Sequence, residues 1–147
     1  MLGFFADMVL ICEGSTEKTF IDYLIENKWD GPKYKRVCIL DAMGKYNIHR
    51  YMNLFKELGI HHSILFDKDE NQEFQELLNA FIDGQKNGFT KAVYEFDKDI
   101  ETFVGIPHPP ANRKDKKPLN LMWHYFNGKI QENKISDLRN IVENLLS

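Results

Sequence analysis

Four short apolar runs constrain what this chain can fold into: MVLIC (8–12), RVCIL (36–40), HSILF (62–66) and AVYEF (92–96). Each is too short for a helix, rich in β-favouring residues, and separated from the next by a segment with helical periodicity. After the first run, Phe20, Ile21, Leu24 and Ile25 form an apolar stripe, and Ser15 or Thr16 can cap a helix starting near Glu17. Gly44 and Lys45 open a second helix with Ile48, Tyr51, Met52 and Phe55 on one face and Gly59 as its stop. A third runs from about residue 73 to residue 86 and ends at Asn87-Gly88. This alternation requires βαβ crossovers. It predicts an α/β fold with a mainly parallel sheet of about four strands and helices on both faces. Residues 29–34 read as a turn, 105–118 as a basic, proline-containing loop, and 119–127 and 136–146 as two short closing helices.

Composition narrows the function classes. At 147 residues the chain is the size of one domain with a real core, read as spanning 1–147. Its net charge of −3 supplies no global basic field, so contact with nucleic acid needs a local patch or metal ions. Cys12 and Cys38 sit inside apolar runs and read as buried free thiols, suited to a reducing cytoplasm. There is no CxxC or Cys/His cluster for zinc, and no apolar run reaches the roughly 18 residues of a membrane span. The first run begins within about eight residues of the start, as expected of a fragment or of a domain preceded by something else.

The strand ends carry the chemistry. In an open parallel sheet, function gathers beyond the carboxyl ends of the strands. Glu13 follows the first run, Asp67 and Asp69 the third, and Asp99 and Glu101 the fourth. Clustered carboxylates repel one another and lose solvation, and a cation relieves both costs. An all-oxygen donor set prefers Mg²⁺ or Mn²⁺ to zinc. Asp67 and Asp69, two apart, lie on one side of an extended backbone and could grip one ion, while Glu13 and Glu17 could flank a second. Taken singly, these acids have simpler roles. A strand-terminal Asp often caps a helix or forms a turn, and Glu17 complements a helix dipole. Repetition at three strand ends argues for more.

The pattern Glu13-Gly14-x-x-Glu17 after a strand, a glycine-led helix at Gly44, and Asp67-x-Asp69 after another strand resembles a Toprim domain. The likeness is closer to the C-terminal Toprim half of the OLD (overcoming lysogenization defect) family nucleases. FFADMVLICEGSTEKTF resembles that family's leading strand, DKDIETFVG its later acidic motif and KKP its downstream lysine, covering residues 4 to about 127. The resemblance implies hydrolysis of DNA phosphodiester bonds with two Mg²⁺ or Mn²⁺ ions, about 3.5–4 Å apart in such sites. It also implies a role in phage defence. Glu13 would be a ligand or the general base, Glu17, Asp67 and Asp69 ligands, and Asp99 and Glu101 the second site, with Asp97 able to replace a neighbour. Lys117, or Lys116 beside it, would be the catalytic lysine. No GxxxxGK[ST] occurs, so the likeness is to the nuclease portion alone, and an ABC-type ATPase domain or chain is the implied partner. A homodimer is expected where two strands are cut.

Arg113, Lys114, Lys116 and Lys117 put four cations in five residues, readable as a solvated run or as phosphate contacts. Lys45 and Arg50 at the second helix could add contacts to a nucleic-acid backbone. His61 and His62 are adjacent in a strand and point to opposite faces, so they cannot easily share an ion. His108 and His124 read as structural. Trp29, Trp123, Tyr125 and Phe126 could stack on bases but read as packing residues. Asp41 reads as a turn former, and Ser15 has no His/Asp constellation. Three functions remain: a metal-dependent nuclease, another phosphoryl-transfer enzyme such as a primase-like protein, and a non-catalytic nucleic-acid-binding module. A HAD-type phosphatase would carry DxD after the first strand, where this chain has Glu13.

Overall fold

β1 (Met8–Cys12) is buried at every residue because it lies between two strands and under helices on both sides. The computed structural model describes residues 6–69 and 72–147; Phe4 and Phe5 of the family-like leading segment lie outside the described residues. β1 pairs in parallel with β2 (Val37–Asp41) and β3 (His61–Asp67), and β3 pairs in parallel with β4 (Thr90–Phe96), giving the order β2-β1-β3-β4. α1 (Ser15–Asn27) joins β1 to β2, α2 (Ile48–Leu58) carries the chain back past β1 to β3, and α3 (Glu73–Gly84) leads to β4. The winding therefore reverses between β1 and β3. Their carboxyl ends flank the topological switch point, where open α/β sheets bind ligands.

The period of two in the strands sorts side chains between two cores. Leu10, Cys12, Ile39, Leu65 and Phe96 pack with Phe20, Ile21 and Leu24 of α1 and with Leu138 and Val142 of α6 (Glu132–Leu145). Val9, Ile11, Ile64 and Phe66 pack on the opposite face with Ile48, Met52 and Phe55 of α2 and Ile82 of α3. A one-residue slip of any strand would exchange the two sets, so burial on both faces fixes the register.

The strands and the first and third helices form where expected, within one or two residues, and the second begins three residues late. Three local expectations are corrected. Gly14, not Ser15 or Thr16, is the N-cap of α1, and no side chain caps that end; the chain turns directly from Glu13 into the helix. Gly44 leads first into a 3-10 turn, Lys45–Asn47, and α2 follows it; φ of +123° at Gly44 favours glycine. The segment 105–118 is not all loop. Ala111–Lys116 forms a 3-10 turn, and α5 (Lys117–Phe126) starts with Pro118 in its first turn, where a missing N–H costs no helical hydrogen bond.

Two further differences matter downstream. A five-residue helix, α4 (Ile100–Val104), follows β4 and is too short to show a periodicity. α6 begins at Glu132, four residues before the expected start, because Ile135 belongs to the same buried stripe as Leu138, Val142 and Leu145. No helix among the described residues is long and apolar enough to cross a membrane.

Candidate metal centre

The parallel pairing of β1 with β3 brings Glu13 onto the end of β3. The Asp67 backbone N–H donates to Glu13 Oε1 at 3.2 Å. Glu17 lies in the first turn of α1, and that turn aims it back at the same crevice; it is 4% exposed and Asp67 5%. Glu101, on α4, is fully buried, and its charge acts on Glu17. Four acids, from the turn after β1, from α1, β3 and α4, thus share one electrostatic neighbourhood.

Their protonation reflects the crowding. Burial, with the charges of Glu13 and Glu101 adding, pushes the Glu17 carboxyl up to about 7. Burial and then the charges of Glu17, Glu13 and Asp69 push Asp67 up to about 9. Glu13 is also raised by burial, against the Asp67 N–H and the Lys45 ammonium. Asp67 Oδ1 and both carboxyl oxygens of Glu101 are buried without a hydrogen-bond partner among the described residues. Two cations face this group among the described residues: Lys45 Nζ, 3.9 Å from Glu13 Oε1, and Lys117 Nζ, 3.4 Å from Glu101 Oε1. Burial alone would lower the Lys117 ammonium, but Glu101, Glu17 and Asp67 hold it above its ordinary value.

Asp67 Oδ1 and Glu101 Oε2, buried with no donor beside them, are costly and call for a cation beyond Lys117. The donor set is oxygen throughout, so the residues fit a hard divalent ion such as Mg²⁺ or Mn²⁺. Beside this group, Asp99, Glu101 and His108 each offer one ligand atom, all within 4.8 Å of one another. Glu101 therefore faces both groups and joins them.

The other expected site residues occupy distinct places. Asp69 does not continue the extended backbone of Asp67. β3 ends at Asp67, and Asp69 takes a left-handed φ of +54°, one that Asp tolerates better than most residues, with its carboxylate 3.1 Å from Lys45 Nζ. The same-side grip of one ion is thus replaced by an ion pair. Lys45, expected at a nucleic-acid backbone, is instead 6% exposed. Its ammonium donates to Asp69, to Gln75 Oε1 at 2.8 Å and to Asn79 Oδ1 at 3.1 Å, and lies 3.9 Å from Glu13. It is an internal counter-charge to the acids.

Asp99 is the N-cap of α4. It accepts from the Thr102 N–H at 2.8 Å and lies 2.7 Å from His108 Nε2. Burial would raise Asp99, but the Thr102 N–H and His108 hold it below the usual carboxylate range. Capping and facing His108 are compatible because they use different carboxylate oxygens. Asp97 is exposed. Asp41 Oδ1 accepts from the Met43 N–H at 2.8 Å, the turn role expected of it. Arg113, Lys114 and Lys116 are exposed on the 3-10 turn, and Arg113 lies 3.6 Å from Asp115.

Sequence reasoning missed His108, Gln75 and Asn79. No spacing motif announces them. His108 meets Asp99 through the short reversal after α4, and Gln75 and Asn79 meet Lys45 because α3 crosses the mouth of the crevice. Trp29 is buried, as expected, whereas Trp123 is 56% exposed.

Residues 4–69 match the family model described as "Overcoming lysogenization defect protein-like, TOPRIM domain". No curated protein and no solved structure matches the chain.

Proposed function

We propose, from the match of residues 4–69 to the OLD-like Toprim family model, that the chain is a divalent-metal-dependent endonuclease domain acting on DNA. A Toprim domain carries nucleic-acid-related, metal-binding function. The finer reading rests above all on the buried Asp67 Oδ1 and Glu101 Oε2, which have no hydrogen-bond partner among the described residues, amid acids gathered at the switch point between β1 and β3.

Glu17, Asp67 and Glu101 would hold one ion, with Glu13 as a further ligand or as the general base. Asp99, Glu101 and His108 would hold a second. Bound Mg²⁺ or Mn²⁺ would supply an activated water and neutralise charge on the scissile phosphate and leaving oxygen. Glu13 is suited to accept a proton because burial raises its carboxyl, while the Asp67 N–H fixes its orientation. Lys117, held by Glu101, presents a fixed positive charge to the phosphoryl oxygens as charge develops. Lys45 keeps Glu13 and Asp69 in place rather than touching substrate. Asp69 therefore acts through Lys45 in this reading. Lys116, Arg113 and Lys114 form an exposed strip for the DNA backbone. We read residues 1–147 as one catalytic unit in the cytoplasm, working with an ABC-type ATPase and as a homodimer in phage defence.

The test is cleavage of supercoiled plasmid with Mn²⁺ or Mg²⁺, comparing wild type with Glu13→Ala and Asp67→Ala. Metal-dependent nicking or linearisation that both substitutions abolish supports the reading. Calorimetry that finds metal binding without cleavage would leave a nucleic-acid-binding module. Absence of metal binding would overturn the two-ion site.

A further inference from the structure

α5 carries an exposed apolar stripe, Leu119, Trp123 and Phe126, at helical spacing. Phe126 is held edge-on by Tyr23 of α1, with ring centroids 5.2 Å apart. Trp123 is different. With Leu119 it borders an open cleft of ≈ 540 Å³, whose other walls include Pro109 and Pro110 and whose rim carries Arg113 and Lys116. His108, which lines this cleft, is paired with Asp99 beside the acid site. Lys117, the residue after Lys116, turns the other way to Glu101. The first residue of α5 thus presents a cation to the acid site, and the 3-10 turn before it presents Arg113 and Lys116 to the cleft.

An indole, two proline walls and two cations in one cleft, Arg113 shared with Asp115 at 3.6 Å, match a base and its flanking phosphates. A purely apolar partner would gain nothing from Arg113 and Lys116, and a paired base could not leave its duplex stack to reach Trp123 at no cost. The geometry points to a subsite for an unpaired nucleotide: its base stacks on Trp123, Arg113 and Lys116 hold its phosphates, and the strand continues past His108 to the acids. This inference depends on the nuclease reading only for the statement that the bound strand is the substrate. It gives the catalytic domain a preference for frayed, flapped or single-stranded ends over blunt duplex.

The experiment measures fluorescence anisotropy of a labelled short oligothymidylate and of a blunt duplex of equal length, with the full chain and Ca²⁺. Stacking of one base contributes about 1–3 kcal/mol, so Trp123→Ala should weaken oligothymidylate binding at least about fivefold. Trp123→Phe should keep most of that affinity, and duplex binding should change little. Arg113→Gln with Lys116→Gln should reduce the salt slope for the single strand by about 0.7 per cation removed. Circular dichroism and thermal melting of each variant exclude unfolding as the cause. Equal loss of single-strand and duplex affinity, or none, would overturn the subsite. So would a change of oligomeric state in Trp123→Ala with nucleotide affinity intact, which would make the stripe a protein contact. If plasmid cleavage fails while the Trp123 dependence persists, the nuclease reading falls and the subsite stands.

Discussion

Asp67 donates its backbone N–H to the side chain of Glu13 at 3.2 Å across 54 residues of sequence. The contact exists because β1 and β3 are parallel neighbours with Cys12 opposite Leu65. It places the first acid of the chain's leading strand on the last residue of β3, and it orients a carboxylate whose burial has already raised its proton affinity.

Without metal, stability should fall as pH rises through the neutral range. Glu17 is raised to about 7 and Asp67 to about 9 in the folded chain. Between an unfolded carboxylate value near 4 and these folded values, the native state holds more protons than the unfolded one, so stability declines with rising pH. Asp67→Asn should flatten that slope and stabilise the metal-free protein at pH 8 by at least ~1.4 kcal/mol, the equivalent of one pKa unit. Urea titrations of both proteins at pH 6 and pH 8 measure it, and a wild-type slope of the opposite sign would refute the crowding argument.

Divalent metal should stabilise the fold. Saturation at 100 times the dissociation constant adds about 2.7 kcal/mol, seen as a rise in Tm with Mg²⁺ or Mn²⁺ that EDTA reverses. Glu101 faces both acid groups, so Glu101→Gln should remove most of the rise. His108→Ala should remove only part of it. Equal effects of the two substitutions would argue against Glu101 as the shared residue.

The two adjacent lysines should separate in kinetics. Lys117 lies 3.4 Å from Glu101, whereas Lys116 is exposed on the cleft rim. Lys117→Ala should lower kcat for cleavage by roughly 10²–10³, the scale of a lost transition-state donor. Lys116→Ala should chiefly raise KM and reduce the salt dependence. Steady-state cleavage at several salt concentrations distinguishes them.

Lys45 should matter to stability before catalysis. Lys45→Met leaves Glu13 and Asp69 without their counter-charge and Gln75 and Asn79 without their donor. The expected loss is about 3–5 kcal/mol, read by urea denaturation, with part recovered on adding Mg²⁺. A loss below about 1 kcal/mol would mean the acids are accommodated without it.

One pH effect should have the opposite sign. His62 is fully buried, with Nε2 2.9 Å from Thr90 Oγ1, and burial lowers its pKa. The native state therefore resists protonation, and stability should fall as pH drops below about 6.5. His62→Gln should weaken that acid limb, measured as Tm between pH 7 and pH 5, whether or not metal is present.

The alternating apolar runs and amphipathic stripes by themselves determined the α/β class, the parallel pairing and the two-sided helical cover. These follow from local periodicity and from the need to bury apolar faces. Glu13, Glu17, Asp67 and Glu101 were also legible, since each sits where a strand ends or soon after. What those acids meet was decided by tertiary structure alone. Asp69 leaves the line of Asp67 because the backbone turns left-handed there, Lys45 is drawn inward by Gln75 and Asn79 of α3, and His108 reaches Asp99 through a five-residue helix too short to leave a period. Trp123 stays 56% exposed although it is an apolar residue, because α5 packs on α1 through Tyr125 and Phe126. Periodicity is a one-dimensional signal and reports which face is buried. Distances between side chains on different elements depend on crossover path and sheet order, which only the folded chain fixes.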